Sequence, residues 1–369
     1  MYFKNDTLKL LKVLKNYKFT EPKINIFKYE FFNELYYNFL KIIRSINLKD
    51  LFIKKVEIKD ELEVNSFVSK NIINKSKELI YSYSITFENI RIIYHTKKEI
   101  KSIPKKLYEC IKIIKTLKIL FNRSDFEQTI EIYDINLKKI FPKKENILGP
   151  DNVNTAYCNV HPDHNGNITI YRNEELIKVL IHELMHSNLV DKELIFSEIS
   201  VEMNKRICSN YNILLNEGFT ETYACIIHLY YIGYKLNKNK NFINDLYNNE
   251  VKYSIYICSK ILKHYEIKNI DEILEFKNKC TNTFKQKSNI FSYYFIKLIL
   301  YLNIGKFSIL LKKYTKYNRI HNKKFLKEFL NLVLDNLKDI DKYIIDVNDK
   351  NNSLRLTLYE LKMNLIKEY

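Results

Sequence analysis

The sequence predicts an α+β fold: a small mixed sheet packed on helices, one of them bearing a His-Glu-x-x-His motif, followed by a mostly helical C-terminal region. Three observations carry this. First, apolar residues alternate with a period of two in Ile80–Phe87 and Ile90–His95, on either side of a tight turn at Glu88-Asn89. Second, the order is strand, strand, helix, three strands, helix, which builds a sheet with helices laid on it. Third, from about residue 236 onward the apolar spacing is helical and lysine decorates the other face. Hydrophobic residues make up 46% of the 369, enough for a sizeable core.

The elements follow in order. Residues 1–75 read as a helical region: Leu8, Leu10, Leu11 and Leu14 recur near the 3.6 period, as do Phe31, Leu35, Phe39, Ile42 and Ile43. Residues 76–235 form the core unit. After the predicted hairpin a helix spans roughly Lys105 to Phe121, entered behind Pro104, and Thr129–Tyr133 is a third strand. Pro142 and Gly149-Pro150 mark a loop, and Val153–Cys158 and Ile168–Tyr171 are two more extended segments. Asn173 is the expected N-cap of the helix carrying Ile181-His182-Glu183-Leu184-Met185-His186. A polar segment, Asn188 to about Asn212, leads to a helix from near Ile213 to about Tyr234. Residues 236–369 then read as amphipathic helices over Asn244–Tyr265, Asp271–Lys279, Ile290–Asn303, Phe307–Tyr314, Lys324–Leu337 and Leu354–Lys367.

Lys and Arg outnumber Asp and Glu by 61 to 43. The lysines are dispersed, Gly and Pro number only 5 each and Trp is absent, so an AT-rich coding bias explains most of the charge and nucleic-acid binding is not favoured. The six cysteines show no CxxC pair, which fits a reducing compartment. The N-terminus lacks the apolar core of a signal peptide and no apolar window is long enough for a membrane span, so an intracellular protein is expected.

The chemistry sits in two short motifs. Histidines four apart on a helix lie on one face, so the imidazoles of His182 and His186 reach one metal ion, and Glu183 lies on the rim of that face. A catalytic zinc takes three protein ligands and leaves one position open. In Asn216-Glu217-Gly218-Phe219-Thr220-Glu221, Glu217 and Glu221 stand one turn apart, so Glu217 is the candidate third ligand and Glu221 the acceptor for the spare N–H of a ligand histidine. His228 is the rival ligand, but it lies 11 residues beyond Glu217, about 16 Å along a helix. It reads as a core histidine, and His161 and His164, flanking Asp163, read as a polar turn.

HExxH followed by NExx(S/T)(D/E) resembles the gluzincin metallopeptidases, which include thermolysin-like endopeptidases and aminopeptidases with NEGF-type second motifs. The resemblance covers roughly residues 79–300 and is specific over about a dozen positions in the two motifs. It implies a zincin-like core domain and one Zn2+ held by His182, His186 and Glu217. Glu183 is then the general base and Glu221 the outer carboxylate. By position it also implies Tyr293 or Tyr294 as the oxyanion donor, and Asn154 to Tyr157 as the edge strand on which a substrate backbone pairs, with Asn154 and Ala156 contacting it. Two departures stand out. Thirty residues separate His186 from Glu217, closer to the glycyl aminopeptidase type than to thermolysin-like members, and no GxMEN-like motif is present.

The expected function is therefore a zinc metallopeptidase acting on protein or peptide substrates. The alternative is a basic, nucleic-acid-associated or virion-type scaffold with a structural or lapsed zinc site.

Overall fold

The computed structural model describes residues 2–57, 62, 65, 67–143, 146–161, 165–274 and 283–363. The architecture is mixed α+β: a six-stranded mixed sheet, a second sheet of two short strands, and many helices. The chain begins with α1 (Asn5–Leu14) and α2 (Glu30–Ser45), whose apolar stripes are buried as their spacing predicts. Next come β1 (Phe52–Val56), α3 (Lys70–Ser76), β2 (Tyr81–Phe87) and β3 (Ile90–Thr96), with Glu88 in the β2–β3 turn at φ 51°. Helix α4 (Lys105–Leu120) and β4 (Gln128–Tyr133) follow, then α5 (Pro150–Val153), β5 (Ala156–Asn159), β6 (Asn167–Ile170) and α6 (Leu176–Ser187).

The strand order is β1-β2-β3-β4-β6-β5. Strands β3, β4 and β6 run parallel; β1 and β2 at one side and β5 at the other are antiparallel to their neighbours. One face of the sheet sends Ile85, Ile92, Ile130, Ile132, Ile168 and Ile170 into the main core, against α4 and α6. On the other face a satellite cluster gathers Tyr133 and Tyr171 with Ile72 of α3.

Past α6 the chain makes two short helices, α7 (Lys192–Ile195) and α8 (Ile199–Asn204), and then the long α9 (Leu215–Lys235) and α10 (Lys240–His264). Phe291–Ile296 winds as a π-helical turn into α11 (Lys297–Leu302), and α12 (Ile304–Tyr314), the β7–β8 pair (Thr315–Lys316, Arg319–Ile320) and α13 (Lys324–Asp335) complete the helical region. One buried cluster runs from Leu10 to Leu361. No single described helix is long and apolar enough to cross a membrane; Phe291–Leu302 and Ile304–Tyr314 qualify only as a pair, bent by 93°.

Several sequence expectations are corrected. The N-terminal region is not all helical, since Phe52–Val56 is an edge strand of the sheet. Asn173 does not cap α6: its amide donates to Asp134, and the helix starts after Glu175, which is left-handed at φ 61°. The expected helix over Leu354–Lys367 is absent as far as Met363. There the chain runs as an extended strap whose Leu354 to Leu361 are all buried, while 364–369 lie outside the described residues, as do Asp163 and His164. Likewise the expected helix Asp271–Lys279 is a short 3-10 turn, Ile270–Ile273, before the undescribed 275–282. Cys208 is disulfide-bonded, whereas Cys110, Cys158, Cys225 and Cys258 are free. Scattered spacing hides such a bond, because the fold and not the sequence brings the two sulfurs together.

Candidate metal centre

Helix α6 is buried along its whole length, so its polar residues must find partners inside the protein. It ends in a tight reversal: Leu189 is left-handed at φ 56° and the Val190 N–H donates back to the Met185 carbonyl at 2.9 Å. That reversal returns Asp191 beneath His186. Helix α9 packs alongside and brings Glu217 in its first turn and Glu221 one turn later. Gly218 permits this approach, since a Cβ there would lie 2.5 Å from the Ile296 side chain. The π-helical turn that α9 touches through Gly218 also carries Tyr293.

The ligand candidates converge. His182 Nε2 lies 3.2 Å from His186 Nε2 and 3.3 Å from Glu217 Oε2, and His186 Nε2 is 3.6 Å from that oxygen. Among the described residues these three form the one group of His, Cys, Asp or Glu whose ligand atoms all fall within 4.8 Å of one another. A tetrahedral ion with bonds of about 2.0–2.1 Å needs ligand atoms spaced by about 3.3 Å. The spacing observed here meets that requirement.

The outer nitrogens fix the tautomers. His182 Nδ1 is 3.0 Å from Glu221 Oε2, and His186 Nδ1 is 2.7 Å from Asp191 Oδ2, which also accepts the Thr220 hydroxyl at 2.9 Å. With each Nδ1 turned to a carboxylate, the two Nε2 atoms face each other and a carboxylate oxygen, and in the neutral imidazoles both Nε2 atoms would be lone pairs. Glu221 is itself ion-paired to the buried Lys178 and, at 3.7 Å, to Lys297. Glu183, Asp191, Glu217 and Glu221 thus gather around two histidines and two lysines.

Proton affinities reflect these neighbours. Burial alone would lower the pKa of His182, but hydrogen bonds to Glu217 and Glu221 carry it above the usual imidazole value. For His186 burial is likewise outweighed, by Asp191 and Glu217, and its pKa stands well above the usual value. Glu217 and Glu221 resist protonation despite burial because His186 and His182 face the first and Lys178 the second. Glu183 goes the other way: burial raises its pKa, partly offset by the two histidines.

Of the two tyrosines, the ring of Tyr293 lies 6.0 Å from that of His182. Tyr294 is committed elsewhere, its hydroxyl donating to the Leu354 carbonyl at 2.8 Å, so it does not serve the cluster. Asn154 and Ala156 line a cleft with His182, Glu183 and Tyr293. The Asn154 side chain is already engaged, accepting from Ser288 at 2.6 Å and donating to the Phe67 carbonyl at 3.4 Å. Ala156 opens β5, which among the described residues pairs with β6 alone. His228 is not part of the ligand group: it lines a separate cavity of about 720 Å³, and burial depresses its pKa to about 3. Sequence reasoning missed Asp191, Thr220, Lys178 and Lys297. For Asp191 the available signal was an acid within five residues of the second histidine.

The chain is a mixed α+β protein whose two motif helices place two histidines and a glutamate on one point. No family model and no solved structure matches it. It is similar to an uncharacterized protein of Acanthamoeba polyphaga mimivirus, 22% identical over 206 residues, which are 54% of this chain and 52% of that protein. The chain thus spans about half the length of that relative.

Proposed function

We propose that this protein is a zinc-dependent metallopeptidase with a zincin-like core. One observation carries the reading: the two Nε2 atoms and the Glu217 oxygen converge at zinc-ligand spacing. His182, His186 and Glu217 hold the ion, and Glu221 and Asp191 orient the two rings. A zinc ion there supplies Lewis acidity toward water and a peptide carbonyl.

The remaining work falls to the chain. Glu183, buried and with a raised pKa, takes a proton from the attacking water and returns it to the leaving amine. Tyr293, whose phenol stays protonated because burial and the nearby Glu217 and Glu183 push its pKa well up, donates to the developing oxyanion. The open edge of β5 aligns the substrate backbone.

The test is zinc content of protein purified without chelator. About one equivalent in wild type and little in Glu217→Ala supports the site. Full occupancy in Glu217→Ala would remove that residue from the ligand set, and no zinc in wild type would remove the reading.

A further inference from the structure

The cavity of about 720 Å³ that His228 lines shares no residue with the metal group or with the cleft beside it. It sits at the carboxyl ends of the parallel strands β3 and β4, between the first turns of α4 and α6, a place where sheets with helical crossovers commonly bind small molecules. Its buried walls are apolar: Tyr94 of β3, Leu176 and Ile177 of α6, Tyr231 of α9 and Leu361 of the C-terminal strap. Its rim is basic and partly exposed, with Lys4, Lys105, Lys106 and Lys362.

Two polar groups facing this cavity are unanswered. His228 is only 3% exposed and its Nδ1 has no hydrogen-bond partner, while burial keeps the ring neutral. Asn173 likewise leaves a buried Oδ1 without a donor. The two tyrosine hydroxyls, by contrast, are taken: that of Tyr94 donates to Asp134 at 2.7 Å and that of Tyr231 to Glu109 at 2.8 Å. In a neutral imidazole Nδ1 is a donor or an acceptor according to tautomer, and leaving it unpaired when buried is costly. A hydroxyl both donates and accepts, so it satisfies this atom in either case.

The rim favours an anion once its pairings are counted. Asp134 is held by Lys106 at 2.5 Å, and Glu360 by Lys4 at 2.5 Å and by Arg355 at 3.3 Å. Glu175 is held by Lys139 and by the strap N–H groups of Leu356 and Thr357. The carboxylates are thus spent, whereas Lys362 has no acidic partner among the described residues. No side chain caps α4, so the positive end of that helix meets the rim at Lys105 and Lys106. We propose that the cavity binds a hydroxylated fatty acid, its chain along the α6 and α9 walls, its carboxylate at Lys362 and the start of α4, and its hydroxyl against His228. The site is separate from the metallopeptidase reading and does not depend on it.

The experiment is calorimetric titration of full-length protein with straight-chain ω-hydroxy acids from hexanoate to hexadecanoate length, beside the plain acids and the α,ω-diols of the same lengths. One hydroxy acid should bind best, and the plain acid and the diol of its length should each bind roughly 10-fold more weakly. His228→Phe should bring the hydroxy and plain acids to equal affinity. Lys362→Met should weaken the acids by about threefold and leave the diol unchanged, and it still reads the site should the histidine variant fail to fold. Carboxylates also ligate zinc, so each titration is repeated after chelator treatment; binding that disappears with the metal belongs to the cluster and overturns the inference. No binding by any of the compounds overturns it as well and leaves His228 to a water. A hydroxy acid no better than its two analogues, or affinities unmoved in both variants, does the same. None of these outcomes alters the zinc content that tests the peptidase.

Discussion

Two buried charge clusters sit at opposite ends of α6, and they are built on different principles. At the start of the helix, Glu175 receives the Lys139 amine at 2.6 Å and the two strap N–H groups, and Glu360 receives Lys4 at 2.5 Å, the Glu175 N–H at 3.0 Å and Arg355 at 3.3 Å. There the carboxylates are met by donors. At the other end, the Nε2 atoms of His182 and His186 and the Glu217 carboxylate oxygen face one another. Both clusters carry the desolvation of charge; the first offsets it with lysine, arginine and backbone donors, the second with Lys178, Lys297 and the two histidines. The difference separates a clamp of lysine, arginine and carboxylate from a cluster whose two histidines and glutamate bring three possible ligand atoms together.

The largest effect that sharpens this contrast is on turnover. Glu183→Gln keeps the shape of the second cluster and removes its base, so peptide hydrolysis should fall by about 10²–10⁴-fold while zinc content stays near that of wild type. Zinc loss in this variant would show that Glu183 holds the ion instead of serving as the base. Next is the clamp. Arg355→Met leaves Glu175 and Glu360 short of a buried cation and should lower unfolding stability by about 3–5 kcal/mol in a denaturant titration. The folded fraction should bind zinc as before; a matching loss of zinc affinity would mean that the two ends are one unit.

A smaller effect comes from the outer carboxylates. Asp191→Asn is nearly isosteric but no longer draws the His186 Nδ1 proton as strongly, so zinc affinity should weaken by about 10–100-fold in competition with a chelator. Unchanged affinity would make Asp191 a structural acid only.

What the sequence revealed of this site follows from distance along the chain. HELMH and NEGFTE were legible because each pair of groups lies within one helical turn, where spacing alone fixes the face. Asp191 was not, because it reaches His186 through a left-handed reversal at Leu189 that no residue type announces. Choosing between Tyr293 and Tyr294 required the π-helical turn, which decides which ring faces His182. The fold shows the same divide. The hairpin and the long helices carry strong periodicity, whereas β1 is a half-exposed edge strand with little pattern. The strap does carry a signal, Leu354, Leu356 and Leu358 at a period of two. It reads as helix surface because Arg355 and Thr357 are polar, yet these are buried too, near Glu175 and Glu250.

The smallest predicted effect tests the contrast through pH. In metal-free protein the folded pKa values of His182 and His186 are raised, so their contribution to stability is fully present below the unfolded value of about 6.5 and is lost as pH rises through the folded values. His228 has the opposite sign: with a folded pKa of about 3, its contribution is fully present above the unfolded value of about 6.5 and is lost as pH falls from there toward 3. Glu175, held at about 2, changes nothing near neutrality. Zinc requires both site histidines as neutral ligands, so its affinity falls as pH drops through their raised pKa values. Above about 6.5 the His228 contribution no longer changes with pH, so it adds no slope to the difference between the Tm of zinc-loaded and metal-free protein. The difference should therefore widen steadily with pH across the neutral range. A gap that stays constant would mean that the carboxylates do not hold protons on His182 and His186.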